Sequence, residues 1–305
     1  MSLSSSRYLQ AILLLSYLCL QSAFASPTLE RIKQTNTIKI GYSHNVIPFN
    51  YLDSVTQKPV GYGIDISLEI VESLKKSLNL PDLKVEYVST PFDERWKMHA
   101  NGEVDLHCST STNTIERQSL ADFSYTYFVA NTRVMVKKSS GIKKYPDLAG
   151  KDVAIIAGTV SGEFFKTKKN YYHIHSFKVI TSITQALEDA FAALKADEVA
   201  AIVYEDSLLL SMLLQNAKER DSYEILGKPI ATEYYACTMQ HGDNVFKELV
   251  NSTLSQMIQN KRLYQIYDKW FTTPLQSIEV NPDMPMSEQL EKLLLAPSDK
   301  AVGQM

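Results

Sequence analysis

Five consecutive small polar residues, Ser109-Thr110-Ser111-Thr112-Asn113, precede Arg117 by about one helical turn. Hydroxyls and backbone N–H groups at a strand-to-helix turn form a receptor for a carboxylate when a guanidinium stands beside them. Arg offers two parallel donors, and the turn supplies the rest. The same residues also read as an ordinary helix start, with Thr112 as N-cap and Glu116 and Arg117 in the first turn. Residue types alone leave both readings open. A similar donor-rich turn occurs at Gly158-Thr159-Val160-Ser161, and an acidic pair, Glu205-Asp206, ends an apolar run. An acid aimed into a cleft suits an ammonium group, whereas the same pair would also cap a helix from Ser207 onward. Which of the two faces a cleft is open. Paired acid–base catalysis by them is disfavoured, since neighbouring side chains on a strand diverge. His173 and His175 could chelate from one face of a strand, but no third ligand stands at a recognisable spacing, so no metal site is expected. No phosphate-binding loop, dinucleotide glycine fingerprint or Gly-x-Ser-x-Gly elbow is present, and no cofactor is expected.

The elements that must position these residues alternate between strand and helix. Ile38–Tyr42 reads as a strand, Ile64–Leu78 as a helix with its stripe at Ile64, Leu68, Val71 and Leu74, and Val85–Val88 as the next strand. Asp93–Ala100 is a helix stopped by Asn101-Gly102, and Val104–Cys108 is another strand. The rhythm restarts after Asp147-Leu148-Ala149-Gly150-Lys151. Strands are expected at Val153–Ile156, Phe177–Ile180 and Ala200–Tyr204, with helices at Gly162–Lys168 and about Ile183–Lys195. Such alternation predicts an α/β protein of two lobes, each with a mainly parallel sheet covered on both faces. Ligands then sit beyond the carboxyl ends of the strands, where the polar groups above fall. Three prolines surround one short amphipathic stretch, Glu288–Leu295, in the last portion, which reads as a tail laid on the surface.

The 305 residues are 45% hydrophobic and 21% charged with a net charge of −3, which fits a globular chain and excludes collagen-like, disordered and multi-span membrane classes. No basic stripe supports nucleic-acid binding. Arg7, an apolar run of about a dozen residues and Ala23-Phe24-Ala25 have the form of an export signal cleaved after Ala25; a membrane span would need about 20 residues. Cys19 lacks the preceding small residues of a lipoprotein signal. Removing the segment leaves Cys108 and Cys237 in a compartment where disulfides persist, so the two should pair. The loop they close, about 130 residues, corresponds to about 4–5 kcal/mol in the chain-entropy model.

The order of several short segments resembles the polar amino-acid-binding proteins of ABC importers. These are Gly61-Tyr62-Gly63-Ile64-Asp65-Ile66, Asn101-Gly102-Glu103-Val104-Asp105, Thr112 with Glu116-Arg117-Gln118, Phe123-Ser124 with Tyr127, and Asp147–Lys151 before Gly158-Thr159. The likeness runs from about Thr28 to Pro274 and is greatest to the glutamate/aspartate-binding members, which share the two cysteines and the ending Asp268-Lys269-Trp270-Phe271.

The resemblance implies a two-lobed periplasmic-binding-protein type II fold in which a clamshell closes on one small ligand. It implies a signal at 1–25, lobe one at 26–128 plus 230–277, lobe two at 129–229 and a tail at 278–305, with crossovers near Phe128–Asn131 and Gly227–Pro229 as the hinge. Carried over by position, Arg117 grips an α-carboxylate, Thr112 and Thr110 donate to it, and the turn at Thr159 and Val160 adds donors. Glu205 holds the α-ammonium group, and Arg95 reaches a side-chain carboxylate. The rest of the acidic-side-chain pocket departs from the family: Ser43-His44 replaces an expected arginine, Phe92 a serine and Leu187 a histidine. The expectation is a monomeric periplasmic protein that binds an amino acid, glutamate or aspartate first, and delivers it to a membrane permease. The rival expectations are a cyclohexadienyl dehydratase-like enzyme on the same scaffold and a sensory module for a separate receptor.

Overall fold

The computed structural model describes residues 26–182, 185–275 and 278–304. The expected export segment 1–25, Ile183 at the start of one expected helix, and Ser277 at the end of the expected lobe one lie outside the described residues. Eleven strands run through these segments: β1 (Thr37–Tyr42), β2 (Asn45–Val46), β3 (Asn50–Leu52), β4 (Pro59–Val60), β5 (Lys84–Ser89), β6 (Leu106–His107), β7 (Asp122–Lys137), β8 (Asp152–Ile156), β9 (Ser176–Ile180), β10 (Ala201–Glu205) and β11 (Tyr223–Met239). Eight of them form one sheet in the order β5-β1-β6-β11-β7-β10-β8-β9, and β2, β3 and β4 form a small antiparallel sheet.

The large sheet corrects the expectation of mainly parallel pairing. Its two ends are parallel, β5-β1-β6 and β10-β8-β9, but the middle, β6-β11-β7-β10, is antiparallel. The expected crossovers are parts of two long strands, the 16-residue β7 and the 17-residue β11, which pair with each other. Their register breaks between Leu226, opposite Val134, and Ala231, opposite Thr132. Gly227 in that break has φ of +47°, a backbone region that suits glycine. Polar Asn131-Thr132-Arg133 and the Gly227–Pro229 punctuation make both segments read as connectors in the sequence, whereas the pairing between them makes strands.

Hydrophobic burial divides the molecule into two halves along this pair of strands. In the first, Phe49, Tyr62, Phe128, Tyr235, Tyr267 and Phe271 form one aromatic centre. Phe128 lies 4.8 Å from Phe49 and 5.1 Å from Phe271 between ring centroids, within the range where aromatic pairs attract beyond their buried area. The helix Tyr62–Ser77 supplies Ile66, Ile70 and Leu74 to the same core, at the four-residue spacing that keeps one face inward. Gly63 lets this helix lie against the chain at Cys108. A Cβ there would stand 1.8 Å from the Cys108 carbonyl oxygen. Cys108 and Cys237 are bonded to each other within this half.

In the second half, β10 is covered on both faces, with Ile202 and Tyr204 in one cluster and Ala201 and Val203 in the other. Continuous apolar strands of this kind need layers on both sides. The helices here are Val160–Lys166, Ala186–Lys195 and Asp206–Gln215.

The tail does more than lie on the surface. In the helix Glu288–Leu295, Leu290 and Leu294 are each 1% exposed and join the first core, because the four-residue spacing gives even this short helix one apolar face. Beyond it the chain straps across the loop at Asn113. The Asn113 side chain donates to the carbonyls of Asp299 and Lys300, Val302 N–H donates to the Asn113 carbonyl, and Thr126 N–H donates to the Ser298 carbonyl.

Candidate functional site

A cavity of about 500 Å³ opens between the two halves. One wall comes from chain following β5 and β6, including Thr90, Phe92, Arg95 and Thr110. The other comes from the ends of β8, β9 and β10, including Ile156, Gly158, Ile180 and Tyr204. These are the loops beyond the carboxyl ends of the strands, where open α/β sheets bind ligands.

On the first wall the polar run is held as an added rung on β11. Thr112 bridges Tyr235, Asn113 N–H donates to the Tyr234 carbonyl, and Ala236 N–H donates to the Ser111 carbonyl. The helix Ile115–Gln118 is capped by Thr114, whose hydroxyl accepts from Arg117 N–H at 3.2 Å. Thr112 is therefore not the cap; its hydroxyl donates instead to Glu233 Oε2 at 2.6 Å. Arg117 Nη1 donates to the Thr112 carbonyl at 3.1 Å, and Nη2 reaches the Gly158 carbonyl on the opposite wall at 3.3 Å.

Arg95 is 2% exposed. Its Nε donates to the Phe92 carbonyl at 2.7 Å, its Nη1 to Ser111 Oγ at 2.6 Å, and its guanidinium lies 4.0 Å from the Phe92 ring centroid. Burial, with the Arg117 charge nearby, lowers its pKa to about 9. A desolvated guanidinium held this way is ready to pair with an anion.

On the second wall Thr159 caps the helix Val160–Lys166. Its hydroxyl accepts from Gly162 N–H at 3.1 Å and donates to the Ile156 carbonyl at 2.8 Å. The helix begins at Val160, two residues before the sequence-based start, because this cap fixes it there. At the end of β10 the two acids separate. Glu205, 3% exposed, accepts from Ser161 Oγ at 2.9 Å. Asp206 instead accepts from Asn131 N–H at 2.9 Å and from Ser207 N–H, and lies 3.5 Å from Arg133. Glu205 thus turns toward Ser161 on the second wall's first helix, while Asp206 ties the following helix to β7; neither lines the cavity itself.

Glu233 is a buried acid next to the predicted site residue Thr112 that sequence reasoning missed. It is 1% exposed on β11 and accepts from Thr112 and, at 3.3 Å, from Thr132 Oγ1. Burial raises the pKa of both Glu205 and Glu233. Ile230-Ala231-Thr232-Glu233-Tyr234-Tyr235 shows no polar–apolar alternation, so no local signal marked this acid. His44, Phe92 and Leu187, the departures from the family pattern, all line the cavity. His173 and His175 lie elsewhere. His173 adopts φ of +52°, and His175 Nδ1 lies 2.7 Å from Asp152. Among the described residues no helix is long and apolar enough to cross a membrane.

Comparison with known proteins gives the same picture. The family model of bacterial extracellular solute-binding proteins, family 3, matches residues 38–273. The chain is 38% identical over 278 residues to an L-glutamate/L-aspartate-binding protein of Pseudomonas aeruginosa, covering 91% of each chain. It is 36% identical over 279 residues to a glutamate/aspartate import solute-binding protein of Salmonella typhimurium, covering 92% of this chain and 91% of that one. Among solved structures, an ancestral arginine-binding protein bound to arginine superposes with a TM-score of 0.65 at 28% identity, covering 77% of this chain and 98% of that one. With the two-lobed α/β architecture and the cleft between its halves, these matches establish that the chain belongs to the bacterial extracellular solute-binding proteins of family 3.

Proposed function

We propose that this protein captures an α-amino acid, glutamate or aspartate first, between lobe one (26–128 plus 230–277) and lobe two (129–229), and passes it to the permease of an ABC importer. The observation that carries this reading is the charge arrangement around one cleft. Arg95 lines one wall, Arg117 beside it bonds across to the Gly158 carbonyl of the other, and Glu205 is buried at the end of β10 directly after Tyr204, which lines that second wall. Arg117 takes the α-carboxylate, assisted by Thr110, Thr112 and the turn at Thr159 and Val160. Glu205 faces the ammonium group, and Arg95 meets a side-chain carboxylate. The names of the Pseudomonas and Salmonella relatives support the same ligand class. The proposal includes export by the 1–25 segment, residence in the periplasm as a monomer, and a binding rather than catalytic role.

The apolar side chains of Phe92, Ile156, Ile180 and Leu187 on the cavity wall favour a second reading, a larger or less acidic amino acid. A thermal-shift panel of L-amino acids separates the two. A ligand at a hundred times its Kd stabilises the folded state by about 2.7 kcal/mol, or about 5–10 °C for a chain of this size. A rise with glutamate or aspartate alone is expected. A rise only with larger neutral amino acids supports the second reading, and no rise with any amino acid overturns both. Cyclic acids belong in the same panel with product detection, since turnover would mark an enzyme.

Closure has its own fastening at the rim. Asn45, on the short strand β2 of the first half, donates to Glu188 and, at 2.9 Å, to Gln215 Oε1 of the second half; Gln215 Nε2 donates back to the Asn45 carbonyl at 3.0 Å. Asn45→Ala removes the two side-chain bonds and leaves the one to its carbonyl; at about 1 kcal/mol for each net hydrogen bond, it is expected to speed ligand release by up to about thirtyfold. Stopped-flow dissociation measures this, and an unchanged release rate would show that these contacts do not secure the closed form.

A further inference from the structure

The segment from Thr112 to Gln118 carries Arg117 to the cleft, and the strap Ser298–Val302 holds that segment from behind. Gln118 Nε2 donates to the Asp299 carbonyl at 3.1 Å and to Asn113 Oδ1 at 2.9 Å. Asn113 Nδ2 donates to the same Asp299 carbonyl at 2.9 Å and to the Lys300 carbonyl at 3.4 Å. Its own carbonyl accepts from Val302 N–H at 2.9 Å. A carbonyl oxygen has two lone pairs, so the one at Asp299 serves two amide side chains that bracket the helix Ile115–Gln118.

That helix has little else to hold it. It is four residues long, far below the length of about 12 at which an isolated helix becomes even marginal in water. None of its residues is buried, and its one apolar side chain, Ile115, is 61% exposed. No apolar face therefore sets its direction. The Thr114 cap and the bond from Arg117 Nη1 to the Thr112 carbonyl both lie inside the segment, so they shape it without aiming it. The rung on β11 ties down Thr112 and Asn113, before the helix begins. Gln118, next to Arg117 at the other end, is tied by the strap. The strap is itself anchored: Ala301 is fully buried, Lys247 Nζ lies 2.9 Å from Asp299 Oδ2, and Thr126 N–H donates to the Ser298 carbonyl.

We propose that Gln118, together with Asn113, is a positioning residue for ligand capture: it fastens the Arg117 helix to the strap, so that the guanidinium is aimed at the cleft before a ligand arrives. This rests on the amino-acid reading above, in which Arg117 takes the α-carboxylate, and deepens it. A one-turn helix left loose would have to be ordered by the ligand, and that ordering is subtracted from affinity; a helix fastened during folding has already lost the freedom. Residues near the far end of the chain thereby become part of the binding machinery without touching the ligand.

The test is the variant Gln118→Ala, which removes a half-exposed amide and both of its bonds. Calorimetry with L-glutamate is expected to show binding weakened about five- to thirtyfold, while the melting temperature of the unliganded protein falls by less than about 5 °C. NMR of the Arg117 Nε–H group in the unliganded protein separates positioning from general loosening. Its signal should be sharp in the unmutated protein and broadened in Gln118→Ala, whereas that of Arg95, held by Phe92 and Ser111, should not change. Val302→Pro removes a donor from the strap side alone and should act in the same direction. Combined with Gln118→Ala it should cost less than the product of the two single effects, since both loosen one fastening. Affinity within about twofold of the unmutated protein in Gln118→Ala, or an Arg117 signal that does not change, overturns the proposal. The NMR arm uses no ligand. If no L-amino acid binds and the Arg117 signal still broadens, the amino-acid reading fails and the fastening stands; if L-glutamate binds both proteins equally, the fastening alone fails.

Discussion

Arg117→Ala should weaken amino-acid binding by about a hundredfold or more while the protein still folds. The guanidinium is half-buried and makes two hydrogen bonds, to the carbonyls of Thr112 and Gly158. Gly158 is exposed and its carbonyl can turn to solvent, whereas Thr112 is buried, so the unliganded protein loses about one hydrogen bond, about 1 kcal/mol. A bound α-carboxylate has no such substitute. Removing one partner of a desolvated, charge-assisted pair costs about 2–5 kcal/mol, much of it the penalty of leaving the other charge unpaired. Thr112 and Glu233 sit one bond away, so the loss also raises the negative potential around the carboxylate. Calorimetry of the variant beside a thermal melt separates the two effects. Affinity retained within about threefold would place the α-carboxylate elsewhere in the cleft.

Replacing Cys108 and Cys237 together by alanine should lower stability by about 4–5 kcal/mol, since the bond closes a loop of 129 residues. For a chain of this length that is about 8–20 °C in melting temperature. Both cysteines are buried, and the Cys108 carbonyl lies in the close approach that Gly63 permits. Residues 109–113 begin directly after Cys108, so the variant should also bind its ligand a few times more weakly. Differential scanning calorimetry decides the matter, and a fall of under about 2 °C would show that the two long strands hold this half without the bond.

The parts of the molecule legible in the sequence are those built from local pattern. The apolar runs of β1, β8 and β10, the helical stripe at Ile64, Leu68, Val71 and Leu74, of which all but Leu68 are buried, and the donor-rich turn at Thr159 are each specified within a few neighbouring residues. Arg95, Thr110, Arg117 and Glu205 were nameable because they follow strand ends or match a family pattern; Arg95 and Thr110 line the cavity, Arg117 bonds across to the Gly158 carbonyl, and Glu205 is buried against Ser161 at the end of β10. What was not legible depends on distant chain. β7 and β11 look like connectors because each contains polar or turn-forming residues, and they are strands only by virtue of each other. Glu233 inherits that obscurity. Asp206 is drawn away from Glu205 by Asn131 and Arg133, about 75 residues earlier, which no local pattern announces. The capping role passed from Thr112 to Thr114 because β11 claims Thr112 as a neighbour.

The strap across Asn113 sets a timetable for the binding loop. Its contacts join residues 186 and 187 positions apart in the chain. A chain growing at about 5–20 residues each second leaves that loop without its strap for on the order of ten seconds or more. The β11 rung that holds Thr112 emerges first, and only the last residues bring Ser298–Val302. A chain caught between the two would carry most of the first core, through Phe271, and a binding loop fixed on one side only.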